Sequence, residues 1–199
     1  MDRTEGAPRN ERLLIGERNG LQLALLKRSA KDIGAVILSP DSVNLISGVS
    51  IEAGAIYPDD RGYFMELFRV GASPLTLGLR ECPTLQVSVA VSYPGSIKAL
   101  HYHFEQTDVW APIQGMFQVV LCDLRQDSPT HGKVNTVFLG TLRPWRLRIP
   151  PGVGHGYKVV GLEVGTLVYL TDRFYNPNDE GRLPHNHPFL NYDWEIQHK

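Results

Sequence analysis

The chain has 199 residues, 42% of them hydrophobic and 21% charged, which suits a globular protein with one sizeable core. A net charge of −1 argues against a nucleic-acid or acidic-membrane partner, and no apolar run of about 18 residues predicts a membrane span. The first residues, MDRTEGAPRNERLL, carry acidic and basic groups where a secretory signal needs an apolar stretch, so a cytoplasmic location is expected. Two cysteines, Cys82 and Cys122, are too few for a disulfide framework and lack metal-type spacing. They read as small buried residues in a reducing compartment.

Residues 1–40 differ from the rest. Leu13–Lys27 mixes apolar and charged positions without a clean period, and a weak helix or a pair of strands both fit. This segment is expected to be an extension that packs on the main domain or on a second subunit. From residue 41 onward, glycines and prolines break the chain into short β-branched and aromatic segments. These are Val43–Ile51, Leu85–Ser92, Ile97–His103, Met116–Leu124, Val134–Leu139, Trp145–Ile149, His155–Val160 and Thr166–Thr171. Many short strands with regular turn signals predict an all-β sandwich or barrel over 41–199. In Gln86–Ser92 valines alternate with small uncharged residues, and the polar face is suited to lining the inside of a ligand-holding barrel. The tail from Asn176 is rich in turn residues and reads as ordered loop.

The chemistry concentrates in GSIKALHYHFEQTDVWAPIQG, residues 95–115. His101 and His103 are two apart on a predicted strand, so both imidazoles leave the same face. A short loop leads to Asp108 at the start of the next strand, and His155 follows the Pro/Gly turn of IPPGVGHGY. Two nitrogens, a carboxylate and a third nitrogen from elsewhere suit a divalent first-row metal such as Zn, Fe, Mn, Ni or Co. The competing reading is a set of polar barrel-lining residues that bind no ion. Gly95-x5-His101-x-His103-x4-Asp108-x6-Gly115 resembles the first cupin motif, with Asp where Glu is usual, and Pro150-x-Gly152-x2-His155 resembles the core of the second. The resemblance implies a cupin-type jelly-roll β-barrel with metal ligands His101, His103, Asp108 and His155.

A second resemblance covers about Asn44 to Trp194. Asp60-Arg61-Gly62-Tyr63-Phe64-Met65-Glu66-Leu67-Phe68, Asp123-Leu124-Arg125-x2-Ser128-Pro129-Thr130-x-Gly132 and Ile149-Pro150-x-Gly152-x2-His155-Gly156-Tyr157 resemble, in order, motifs of the dTDP-4-dehydrorhamnose 3,5-epimerase family. That family consists of dimeric cupin-type barrels acting on nucleotide-linked 4-keto sugars, with no organic cofactor. The resemblance implies a homodimer and a base–acid pair working next to a ketone, with His101 as base and Tyr169 as acid. It also implies that Arg61 and Glu66 hold the nucleotide, that Lys98 meets the diphosphate and that Tyr175 stacks. Read singly, Arg61 and Glu66 also fit a surface ion pair, and the tyrosines fit barrel-wall aromatics.

The chain departs from the family in a coupled way. Asp108, within Gln106-Thr107-Asp108-Val109-Trp110, stands where the family has a lysine that stabilises enolate charge, and His103 stands where it has Gln. The S-x-K-D segment whose Asp orients the base has no counterpart in these residues. A carboxylate beside an enolate is repulsive, whereas a metal-bound carboxylate is compensated and the ion can polarise a ketone. Three readings follow: a nucleotide-sugar epimerase or isomerase, metal-assisted or not; a metal-dependent cupin of another class, such as an oxygenase; or a non-catalytic sugar-binding homologue. As a metal ligand His101 could not also be a free base.

Overall fold

The computed structural model describes residues 11–68 and 84–195. Every regular element among them is a strand, and no helix is long and apolar enough to cross a membrane. Cys82 lies outside the described residues; Cys122 is buried, and burial pushes its thiol up to about 12.

The first described elements form a hairpin. Strands β1 (Arg12–Arg18) and β2 (Leu21–Leu26) pair antiparallel around Asn19 and Gly20, whose φ angles are 50° and 81°. Both central residues are left-handed, as a two-residue turn matched to strand twist requires, and Asn-Gly is the dipeptide that adopts it most readily. This resolves the helix-or-strands alternative for Leu13–Lys27 in favour of strands. Leu23 and Leu25 point into the protein and are fully buried, so the extension packs on its own chain.

Two sheets follow. The six-stranded sheet has the order β15-β8-β13-β10-β11-β3, built from β3 (Ala35–Val36), β8 (Ile97–His103), β10 (Met116–Asp123), β11 (Val134–Gly140), β13 (Val153–Val160) and β15 (Glu180–Arg182). The five-stranded sheet has the order β4-β12-β9-β14-β7, from β4 (Ser50–Ala53), β7 (Gln86–Ser92), β9 (Asp108–Gln114), β12 (Trp145–Ile149) and β14 (Gly165–Thr171). All neighbours pair antiparallel except β3 with β11. A separate hairpin, β5 (Ile56–Asp59) with β6 (Gly62–Met65), stands outside both sheets.

The apolar run of β10 explains how the layers stack. Phe117, Val119 and Leu121 join Leu147, Ile149, Val159 and Leu167 in a core between the sheets. Val120 and Cys122 face the other way, into a second core with Leu23, Leu25, Leu100, Leu190 and Trp194. A strand covered on both faces reads as a continuous apolar segment rather than an alternating one. The N-terminal hairpin and the C-terminal tail both feed the second core, so the described part of the tail, through residue 195, is tied down by Leu190, Tyr192 and Trp194.

The expected strand Val43–Ile51 is extended only at Ser50 and Ile51. Buried Asn135 takes the place of a strand partner: its Oδ1 accepts from the Ile46 amide at 3.0 Å and its Nδ2 donates to the Asn44 carbonyl at 3.0 Å. Buried backbone groups need partners, and here a side chain supplies them.

Candidate active site

A cavity of about 380 Å³ opens between the sheets. From the six-stranded side it is lined by Lys98, His101, His103 and His155, and from the five-stranded side by Asp108 and Tyr169. The expected polar face of β7 does turn inward: Gln86 and Ala90 line the cavity, and the buried Ser92 hydroxyl bonds that of Tyr157 at 3.0 Å. Val87, Val89 and Val91 consequently face out, each about 60% exposed. Tyr175 also lines the cavity, with its backbone N–H donating to Gln86 Oε1 at 2.9 Å.

The short β8–β9 loop sets His103 against Asp108, and two carboxylates hold that loop. Buried Asp179 accepts the backbone N–H groups of Phe104, Glu105 and Gln106 at 3.0–3.2 Å, while Asp172 accepts that of Thr107 at 2.8 Å. His155 is aimed by the turn before it. Gly152 has φ 76°, and a Cβ there would meet Arg125 Cγ at 2.4 Å, so the Pro-x-Gly spacing has a steric reason.

Three of the four expected metal ligands come together. Ligand atoms of His103, Asp108 and His155 lie within 4.8 Å of one another, and all three residues are buried. His103 Nε2 is 3.9 Å from Asp108 Oδ1, and His155 Nε2 is 3.6 Å from Asp108 Oδ2. The fourth, His101, stands outside this group; its Nδ1 is 3.8 Å from Glu180 Oε1 instead. Glu180 escaped sequence reasoning. It sits on β15, a three-residue strand in the turn-rich tail that pairs with β8, with Glu180 opposite His103 and Arg182 opposite His101.

Electrostatics follow from burial and neighbours. Burial pushes Asp108 up, but a hydrogen bond and charge from His155, with His103 and Gln106, outweigh it and hold the carboxyl below its ordinary value. Burial and then the charge of His155 lower both His103 and His101, against the pull of carboxylates that include Glu180. The surroundings therefore favour an ionised Asp108 carboxylate and the neutral forms of His101 and His103.

Two expected residues lie elsewhere. Arg61 is exposed at the tip of the β5–β6 hairpin and pairs with Asp59 at 2.6 Å, and Glu66 lines a separate hollow with Glu52 and Arg146. The Asp123-Leu124-Arg125-x2-Ser128-Pro129-Thr130 motif is a structural knot. Fully buried Asp123 accepts from Arg125 Nε at 2.8 Å, Ser128 Oγ at 2.5 Å and Thr130 Oγ1 at 2.6 Å.

Two facing antiparallel sheets enclosing a cavity with histidines on one wall and a tyrosine on the other define a cupin-type barrel suited to proton-transfer chemistry on a small molecule. Residues 44–199 match the dTDP-4-dehydrorhamnose 3,5-epimerase family, and the chain belongs to that family. Among relatives, it is 40% identical over 156 residues to the spore coat polysaccharide biosynthesis protein SpsL of Bacillus subtilis, covering 77% of this chain and 99% of that one. It is 31% identical over 155 residues to a probable low-salt glycan biosynthesis epimerase of Haloferax volcanii, covering 76% and 96%. The crystal structure of dTDP-6-deoxy-D-glucose-3,5-epimerase from Legionella pneumophila in complex with dTDP-4-keto-L-rhamnose superposes with a TM-score of 0.66. It is 27% identical, covering 76% of this chain and 81% of that one.

Proposed function

We propose that this chain epimerises a nucleotide-linked 4-keto-6-deoxy sugar by moving a proton at a carbon next to the ketone. The observation that carries the reading is that His101 and Tyr169 line one cavity from opposite sheets. A ketone acidifies the hydrogens on its neighbouring carbons, so a base on one side of the ring and an acid on the other invert such a carbon. His101 is the base: burial favours its neutral form, and the Glu180 carboxylate 3.8 Å from Nδ1 is near enough to stabilise the imidazolium that forms when the ring takes a proton. Glu180 is thus a positioning residue, in the part the family gives to a C-terminal Asp. Tyr169 is the acid that returns a proton from the opposite wall.

Lys98 and Tyr175, both exposed and both on the cavity lining, are placed for the diphosphate and for stacking on a ring. Arg61 and Glu66 lie away from the cavity of their own chain, so a role at the nucleotide requires a partner's hairpin to reach it. A cytoplasmic homodimer fits this need. The valine face of edge strand β7 and the exposed Tyr57, Tyr63 and Phe64 of the hairpin are apolar surfaces that such a dimer would bury.

The test is product stereochemistry. Wild-type protein given a dTDP-4-keto-6-deoxy sugar should yield the epimerised sugar by NMR, and His101→Asn should not. Binding of the sugar without any change of configuration would favour a non-catalytic sugar-binding role instead.

A further inference from the structure

We propose that His103, Asp108 and His155 form a three-ligand site for one divalent first-row metal ion, beside His101 rather than including it. Only the part the ion plays in turnover rests on the epimerase reading; its binding does not.

The donors converge from both sheets. His103 ends β8 and His155 lies near the start of β13 in one sheet, while Asp108 begins β9 in the other. Ligands bound at about 2.0–2.1 Å in a tetrahedral site lie roughly 3.3 Å apart. The separations of 3.6 and 3.9 Å run from the two oxygens of Asp108 to the two imidazoles, and with all three ligand atoms within 4.8 Å of one another the side chains would draw in around an ion. All three residues are 7% exposed or less, so this is not a chance surface grouping.

Orientation makes the stronger case. His155 Nδ1 is 2.9 Å from the Val153 carbonyl, an acceptor only, so Nδ1 carries the hydrogen and the Nε2 lone pair faces Asp108. Asp108 Oδ2 also presents a lone pair. Two acceptors facing each other in a buried site require a cation between them, either a proton or a metal ion. Trp110 Nε1 braces the carboxylate, donating to Oδ2 at 3.1 Å, as metal-ligating carboxylates are held. Gln106 Nε2 bridges Asp108 Oδ1 at 2.7 Å and His103 Nε2 at 3.3 Å, so an ion that binds there turns this amide aside and takes its place. Two imidazoles and one carboxylate, with no thiolate, suit Zn, Fe, Mn, Co or Ni.

The same three residues line the cavity, so the remaining coordination positions face the substrate space. An ion held there would supply a Lewis acid for a carbonyl oxygen, the electrophile otherwise lacking where Asp108 replaces the family's lysine. His101, turned toward Glu180, stays free to act as base. The two incompatible tasks suggested for His101 thereby separate: its neighbours hold the ion and it moves the proton.

Metal uptake tests this without substrate. The full chain, purified and then stripped by chelator, is titrated with Zn²⁺ and with Co²⁺, read by elemental analysis and by the visible absorption of Co²⁺. About one ion per chain is expected. His103→Ala and Asp108→Asn should each weaken binding by more than about 100-fold, beyond the 10–100-fold of outer-shell changes. Their folding is checked by circular dichroism. His101→Ala should keep stoichiometric ion and an unchanged Co²⁺ spectrum, and this arm holds even if a ligand variant misfolds. No uptake of either ion at micromolar concentration overturns the site and leaves a proton shared between His155 and Asp108. So does loss of the ion in His101→Ala as readily as in His103→Ala. Turnover by metal-free protein sinks the ion's catalytic part while sparing the epimerase reading. Uptake by a protein inactive on the sugar supports the site and counts against that reading alone.

Discussion

Replacing Glu180 by Gln removes a charge and leaves the shape of the site intact. Proton abstraction turns His101 into an imidazolium, and Glu180 Oε1 lies 3.8 Å from its Nδ1. Two unit charges at that distance attract by about 4 kcal/mol at an effective dielectric constant of 20. That figure is a ceiling, because the His101 side chain is 38% exposed and Arg182 Nε also pairs with Glu180. A remaining contribution of roughly 1.5–3 kcal/mol corresponds to about a 10–100-fold loss of kcat. Since the charge develops only as the proton moves, KM should stay near wild type. Steady-state kinetics on Glu180→Gln, with Glu180→Asp recovering part of the loss, measure this directly. A kcat within about threefold of wild type, or a rise in KM with kcat unchanged, would refute the positioning role.

The other predictions concern stability, the acid and assembly. Asp123→Asn should cost about 2–3 kcal/mol in denaturant unfolding, because it breaks a buried carboxylate network. Burial raises the Asp123 carboxyl, but Arg125, Ser128 and Thr130 outweigh it and depress it when folded. Its stabilisation is therefore present above the unfolded carboxylate value of about 3.9 and lost as pH falls through the folded one. The gap between wild type and variant should accordingly close in acid; a gap constant with pH would contradict this. Tyr169→Phe keeps the ring packed against the core and removes the hydroxyl, so kcat should fall by about 10²–10⁴ with little change in melting temperature. Val89→Glu, on the exposed edge strand, should turn a sedimenting dimer into a folded monomer; an unchanged species would place the interface elsewhere.

Much of this was legible from local pattern. Strands β8 and β12 run over the residues that alternation and flanking Pro and Gly indicate, Ile97–His103 and Trp145–Ile149. The inward polar face of β7 was equally plain. In the first 40 residues the mixed pattern of Leu13–Lys27 left helix and strands both open, and only the paired strands about the Asn19-Gly20 turn decide it. What local pattern does not carry is pairing at long range. β15 has three residues and no period, and only its pairing with β8, which sets Glu180 opposite His103, brings the Glu180 carboxylate within 3.8 Å of His101. Spacing put His101 and His103 on one face, but not which carboxylate each would meet. Asn135 satisfying the 44–46 backbone is likewise a contact between distant segments.

The most direct measurement of the central claim is solvent exchange. A dTDP-4-keto-6-deoxy sugar incubated with the protein in deuterated water should gain deuterium at C3 or C5, and the gain should vanish in His101→Asn. Sugar that binds but acquires no deuterium from the wild-type protein would contradict the account.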